Sequence, residues 1–183
     1  MIGIRLQIWL IVFFFLCVAE QSSAEVLDAA PNGFTIRHQV TVDADRAVVY
    51  GAFVDLIGQW WNSDLTFSGN AANLYLTATV PGCFCEAFGE HSGLVHMMVT
   101  FVNPGVMLRL TGGLGPLGLM GVAGNMTLEF DESDSGTVVT MQYAVGGYMD
   151  GGLDMVAPAV DGVLGEAMTR LTTYVETGSP TEG

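Results

Sequence analysis

The feature that most restricts the fold of this sequence is a long amphipathic segment near its C-terminal end, preceded by many short strand-like segments. Between residues 152 and 176, apolar residues recur every three or four positions, which predicts one long helix with a broad apolar stripe. Such a helix must bury its stripe, and the sheet predicted before it is the available partner. We therefore expect an α+β fold in which a curved antiparallel sheet holds the helix and leaves a cavity beneath it.

Eight segments of the sequence are strand candidates, and six to seven strands are expected in this sheet. Residues 33–42 alternate apolar and polar side chains, which is typical of a half-buried first strand. Gly51 and Gly58 interrupt the apolar pattern that follows, so two short helices are predicted there rather than one. Turn signals, Asn103-Pro104-Gly105 among them, separate the remaining strand candidates. These candidates lie at 64–68, 72–79, 83–88, 93–102, 106–111, 121–130 and 137–145.

The two ends of the chain are predicted to lie outside the domain. Arg5, an apolar run at residues 8–19 and the small residues up to Ala24 predict a signal peptide over residues 1–24, with an uncleaved membrane anchor as the alternative. The run is shorter than the roughly 20 residues of a membrane-spanning helix. We thus expect a secreted or periplasmic protein with no stable membrane span after cleavage. The predicted divisions are a loose leader at 25–32, the domain at 33–178 and a disordered tail at 179–183.

The charge of the chain limits the partners it can have. Five arginines and no lysine stand against 19 acidic residues, which gives a formal net charge of −14. This charge repels phosphate backbones, so no nucleic-acid partner is expected. The absence of lysine excludes Schiff-base chemistry and a P-loop lysine.

The order of the predicted elements, together with several short motifs, resembles the START-like helix-grip superfamily (SRPBCC), which includes polyketide cyclases/dehydrases and the major birch pollen allergen. The motifs are Gly33-Phe34-Thr35-Ile36-Arg37-His38, Asp55-Leu56-Ile57-Gly58-Gln59-Trp60-Trp61, Asn103-Pro104-Gly105 with Leu108-Arg109-Leu110, and Pro158-Ala159-Val160-Asp161-Gly162-Val163-Leu164. The resemblance implies an apolar cavity between the sheet and the C-terminal helix that takes lipids, polyketides or other apolar small molecules. No catalytic motif of an enzymatic branch of the superfamily matches this sequence.

The leading functional expectation is therefore a binding protein for an apolar small molecule or lipid that needs no cofactor. Trp60 and Trp61 offer rigid aromatic surface to such a ligand, although plain core packing explains them equally well. The apolar, glycine-rich segment 112–121 is either a loop over the mouth of the pocket or an irregular packed turn. The residues expected to contact the ligand are Trp60, Trp61, Met97, Phe101, Leu108, Met126, Tyr143, Val156 and Val160.

An enzyme resembling a polyketide cyclase or dehydratase is the first alternative. His38 interrupts an otherwise apolar strand face, and it could act as an acid or base together with Tyr143. The competing interpretation is a core histidine with one satisfied hydrogen bond.

A metal-binding protein is the second alternative. Cys83 and Cys85 lie on one face of a strand, and a symmetric hairpin would place Cys85 opposite His96. These are soft ligands that suit zinc or copper. The competing interpretations are buried free thiols and a Cys83–Cys85 disulfide. A disulfide would require the strand to bend, since positions two apart on an extended strand lie ~6.5 Å apart.

Overall fold

The computed structural model describes residues 23–181, which form one eight-stranded antiparallel sheet with a long C-terminal helix packed across it. The strand order is β1-β2-β8-β7-β6-β5-β4-β3. The strands are β1 (Ser23–Ala30), β2 (Gly33–Val42), β3 (Leu74–Leu76), β4 (Gly82–Gly89), β5 (Ser92–Asn103), β6 (Met107–Thr111), β7 (Gly121–Ser133) and β8 (Gly136–Tyr148). The α-helices are α1 (Arg46–Asp55), α2 (Ile57–Trp60) and α3 (Ala157–Thr177), and short 3-10 turns occupy Ser63–Leu65, Ala71–Asn73, Gly115–Leu119 and Leu153–Met155.

The predicted α+β architecture is confirmed, with one or two strands more than expected. β1 is the strand that no predicted candidate covers, so the interpretation of residues 25–32 as a loose leader is wrong. β1 pairs with β2 from Ser23 opposite Gln39 to Ala30 opposite Gly33. Its side chains from Glu25 onward are mostly exposed. Backbone hydrogen bonds to β2 hold this edge strand in place. The sequence signal was missed because a strand that buries few side chains shows no apolar alternation.

The helical predictions agree with the structure. α1 and α2 are separate helices that meet at Leu56. α3 begins at Ala157 with Pro158 in its first turn, where a proline is tolerated, and ends at Gly178 in the left-handed conformation. No helix within residues 23–181 is long and apolar enough to cross a membrane.

The predicted strand at 64–68 is wrong. This segment begins in the 3-10 turn Ser63–Leu65 and continues as an irregular loop that lies against β4. The predicted strand at 72–79 shortens to the three residues of β3. Most of the predicted signal peptide and the last two residues of the predicted tail lie outside the described residues.

The core lies between the concave face of the sheet and α3. Strand β2 alternates buried and less buried residues along its length, as its sequence predicts. From α3, the buried residues Leu164, Ala167, Met168 and Leu171 point toward this face. The convex face of the sheet has no helix on it among the described residues.

Candidate functional site

The space enclosed between the sheet and α3 is almost filled by side chains. Among the described residues, the apolar cavity at its centre measures about 20 Å³. A single water needs about 10–15 Å³, whereas ligand pockets usually measure about 300–1,000 Å³. The ring centres of Trp60 and Trp61 are 5.7 Å apart, and the ring centres of Trp61 and Phe84 are 5.6 Å apart. The expected internal cavity is therefore wrong, because aromatic side chains in tilted and edge-to-face contact occupy its volume.

An open apolar groove lies directly beside this filled interior. Its volume is about 400 Å³, and three segments form its walls: the first half of α3, residues 61–67 and the loop 114–120. Only Asp64 and Thr66 contribute polar side chains to the lining. The apolar lining residues are Trp61, Leu65, Phe67, Leu114, Pro116, Leu117, Met120, Val156, Ala159, Val160 and Val163. Trp61 and Leu114 line both spaces, so these two side chains separate the groove from the internal cavity.

The glycine-rich segment forms a packed turn that provides one wall of this groove. The Tyr143 hydroxyl donates to the Gly112 carbonyl oxygen at 3.0 Å and accepts from the Leu114 backbone N–H at 3.0 Å. Burial raises the pKa of Tyr143, so its hydroxyl stays neutral and can serve both bonds. Gly112 is required because its φ is 144° and a Cβ would lie 2.9 Å from the His96 carbonyl oxygen.

A buried acid holds the second wall of the groove in place. The Glu86 carboxylate accepts hydrogen bonds from the backbone N–H groups of Phe67, at 3.2 Å, and Ser68. It also accepts from His96 Nε2 at 3.1 Å, and both side chains of this pair are buried. The loop that replaces the predicted strand at 64–68 is thus tied to β4 and β5 through one carboxylate.

The two members of this pair differ in charge. Burial by itself raises the pKa of Glu86, but the hydrogen bonds from Ser68, Phe67 and His96 outweigh it and the pKa is lowered overall. Burial lowers the pKa of His96 despite the neighbouring carboxylate. His96 Nδ1 is buried without a hydrogen-bond partner in the described part of the chain, which also disfavours a protonated ring. At neutral pH we therefore expect an ionised Glu86 and a neutral His96.

His38 lies under α3, away from the groove. Its Nε2 is 2.9 Å from Asp161 Oδ1, within ion-pair range but without the geometry of a good hydrogen bond. One turn further along α3, Gly165 leaves room for the imidazole, since a Cβ there would lie 3.0 Å from His38 Cε1. His38 and Tyr143 both contact other parts of the fold, and neither lines the groove.

Cys83 and Cys85 form a disulfide, with their Cα atoms 5.5 Å apart. This distance is shorter than the ~6.5 Å of a fully extended strand, and beside the pair the register of β4 with β5 shifts by one residue, between Phe84 and Cys85. Cys85 is paired with Val95, and His96 is the extra residue that the bulge inserts in β5. The metal-binding interpretation with Cys83, Cys85 and His96 is therefore wrong: both sulfurs are bonded to each other, and His96 faces the interior. Within residues 23–181, no group of three metal-ligating acid, histidine or cysteine side chains converges.

The structure distributes the residues expected to contact a ligand over four places. Phe101 lies apart from the others, because its side chain is 42% exposed on the convex face, with the Arg109 guanidinium 5.7 Å from its ring centre. Trp61, Val156 and Val160 line the groove; Trp60 and Met126 line the small internal cavity; Met97, Leu108 and Tyr143 are packed in the core.

The sequence patterns did not indicate the role of Glu86 as a buried anchor of the loop 61–67, nor the groove lining from residues 61–67. An acid between apolar positions of a strand was the available signal for Glu86, because such a residue needs a partner when it is buried. Leu114, Pro116, Leu117 and Met120 belong to the segment 112–121 and Val163 to the predicted helix stripe, whereas no local pattern indicates Leu65 and Phe67.

Comparisons with known proteins support the fold and name no function. No family model and no curated protein matches the sequence. A conserved protein of unknown function from Enterococcus faecalis is similar with a TM-score of 0.58 and 11% identity, over 86% of this chain and 78% of that one. CalU16 from Micromonospora echinospora is similar with a TM-score of 0.57 and 14% identity, over 89% and 87% of the two chains. The Aha1 dimer from Colwellia psychrerythraea follows with a TM-score of 0.53 and 15% identity, over 79% and 97%.

Proposed function

We propose that this protein binds a small apolar molecule or lipid in the open groove beside α3, and that it is a member of the START-like helix-grip superfamily. The observation that carries the proposal is the groove itself, which measures about 400 Å³, is lined mainly by apolar side chains and has the first half of α3 as one wall. This volume falls in the range of small-molecule sites. Affinity would come mainly from burial of apolar surface, at about 25 cal/mol per Å² before the costs of association.

The charge of the groove narrows the class of ligand. Asp64 is the one ionisable side chain in the lining, and the protein as a whole carries a net charge of −14. Nothing in the lining would compensate a ligand carboxylate or phosphate, whose transfer into an apolar site is costly. A neutral ligand fits best, with any hydroxyl placed toward Asp64 or Thr66 at the rim.

The Cys83–Cys85 disulfide supports the further proposal that the protein works in an oxidising compartment, either secreted or periplasmic. The alternative of a cyclase- or dehydratase-like enzyme lacks comparable support, because His38 and Tyr143 contact the fold and not the groove.

The test is binding of a neutral fluorescent probe, N-phenyl-1-naphthylamine, whose emission rises in apolar surroundings. We expect saturable binding to the wild-type protein. Val160→Asp places a charge in the groove and should weaken binding about tenfold or more, equivalent to 1.4 kcal/mol. Val48→Asp is the matched control, since it adds the same charge at an exposed position of α1.

Two results would contradict the proposal: no saturable binding to the wild-type protein, or equal binding by the two variants. Thermal unfolding of both variants serves to show that they are folded. Native mass spectrometry of the purified protein gives a second readout, in which a lipid-sized adduct should be present in the wild type and reduced in Val160→Asp.

A further inference from the structure

The convex face of the sheet carries an apolar surface patch around the disulfide. Tyr75 on β3 and Val95 on β5 flank Cys85 in one cross-strand row, and Met98 lies opposite Cys83 in the next. These three side chains are 49%, 52% and 40% exposed. The patch lies on the other face of the sheet from α3 and shares no residue with the groove lining.

The disulfide does little to hold this part of the fold together. It closes a loop with one intervening residue, and the stabilisation that a cross-link gives through the unfolded state grows with loop length. Both cysteines also belong to β4, which is already bonded on each side. Cys85 pairs with Tyr75 and Val95, and Cys83 pairs with Met98 and accepts at its carbonyl oxygen from Thr77 N–H at 2.9 Å. A structural cross-link is therefore redundant at this position.

The two sulfurs differ in their access to a reactant. Cys83 is partly exposed, whereas only 4% of Cys85 is exposed. An attacking thiolate must approach one sulfur of a disulfide along the sulfur–sulfur axis, so access decides which sulfur reacts. Cys83 is therefore the more accessible residue of the pair for a partner on the convex face.

We propose that the Cys83–Cys85 pair is a thiol–disulfide exchange site whose partner is a cysteine thiol flanked by apolar residues. The partner thiolate attacks Cys83 Sγ, a bond forms between the two sulfurs, and the Cys83–Cys85 bond breaks. Cys85 leaves as a thiolate and takes a proton from water. A second thiolate of the partner then attacks the partner sulfur of this mixed disulfide and releases Cys83. The partner is oxidised by two electrons, and the Cys83–Cys85 pair is reduced by two electrons.

The first experiment tests the chemistry in a Cys17→Ser background, so that Cys83 and Cys85 are the only cysteines. The folded protein is treated with reduced glutathione, and free thiols are alkylated and counted by mass. We expect the pair to open while the fold is retained, as followed by circular dichroism. In single variants exposed to oxidised glutathione, Cys85→Ser should form a mixed disulfide on Cys83 about tenfold faster than Cys83→Ser forms one on Cys85. Reduction only after unfolding, loss of the fold on reduction, or equal rates would overturn the proposal.

The second experiment tests the apolar partner. The oxidised protein is reduced either by glutathione or by a synthetic peptide with two leucine-flanked cysteines. Val95→Asp should slow reduction by the peptide several-fold while leaving reduction by glutathione within a factor of about two, because only the peptide uses apolar contacts. Val48→Asp, which adds the same charge on α1, should change neither rate. An equal effect of Val95→Asp on both reductants would show that the patch does not select the partner.

Discussion

Replacement of Trp61 by alanine tests whether this side chain is the partition between the filled interior and the groove. Trp61 is buried, lines both spaces, and contacts the rings of Trp60 and Phe84 at 5.7 and 5.6 Å. Truncation of a buried tryptophan costs about 3–5 kcal/mol. Because one side of Trp61 borders an open groove that water can refill, we expect a value near the lower limit, about 3 kcal/mol. The protein should stay folded, since a typical domain has about 5–15 kcal/mol of stability.

The same substitution should lengthen the binding site. Removal of the indole joins the internal cavity of about 20 Å³ to the groove of about 400 Å³ and adds the volume of the lost side chain. The assay is displacement of N-phenyl-1-naphthylamine by neutral straight-chain alcohols of increasing length. Each buried methylene adds about 0.8 kcal/mol until the site is full, after which affinity stops rising. We expect this limit to occur at a longer alcohol in Trp61→Ala than in the wild type.

The control is Phe101→Ala, an aromatic-to-alanine change on the exposed convex face. It should cost about 1 kcal/mol or less, mainly from the contact with Arg109, and should leave the length limit unchanged. Urea denaturation gives both free energies of unfolding. A loss below about 1 kcal/mol in Trp61→Ala, together with an unchanged length limit, would refute the role of Trp61 as the partition.

Two further predictions concern the walls of the groove. Tyr143→Phe leaves the Gly112 carbonyl and the Leu114 N–H without their partner, which should cost about 1–3 kcal/mol and speed hydrogen exchange in the loop 114–120; unchanged exchange there would contradict this role. The pKa values of Glu86 and His96 are both lowered, so the unfolded chain takes up protons first and stability should fall as the pH drops below 6.5 and again below 4.5. His96→Asn should remove the first decrease and Glu86→Gln the second, as measured by urea denaturation from pH 7.5 to 3.5; unchanged profiles would contradict the assigned charges.

The sequence predicted those parts of the fold that local patterns govern. The apolar period of α3, its proline in the first turn and the alternation of β2 all depend on residues that are neighbours along the chain, and each agrees with the structure. β1 was missed because its pairing with β2 rests on backbone hydrogen bonds, which leave no mark in side-chain composition. The segment 64–68 is a loop and not the predicted strand, because backbone N–H groups of Phe67 and Ser68 donate to the Glu86 carboxylate and not to a neighbouring strand. The local sequence does not show this distant partner.

The candidate site depends on tertiary packing that local sequence patterns do not predict. Trp61, Val156 and Val160 were expected near a ligand and do line the groove, but the expected internal cavity is filled. How much space remains beneath a helix depends on how side chains from several elements interlock, and composition does not give that volume. The place of the groove follows from two loops that meet α3 only in the folded chain.

The sequence by itself determined that a long helix would lie across an antiparallel sheet, because a periodic apolar stripe has to be buried. The tertiary structure alone decided what that arrangement contains. One bulge in β5 turns His96 inward to Glu86, instead of placing it opposite Cys85. A shift of one residue in strand register moves the side chains that follow to the other face of the sheet. This register is set by pairing between strands whose residues are far apart in the chain.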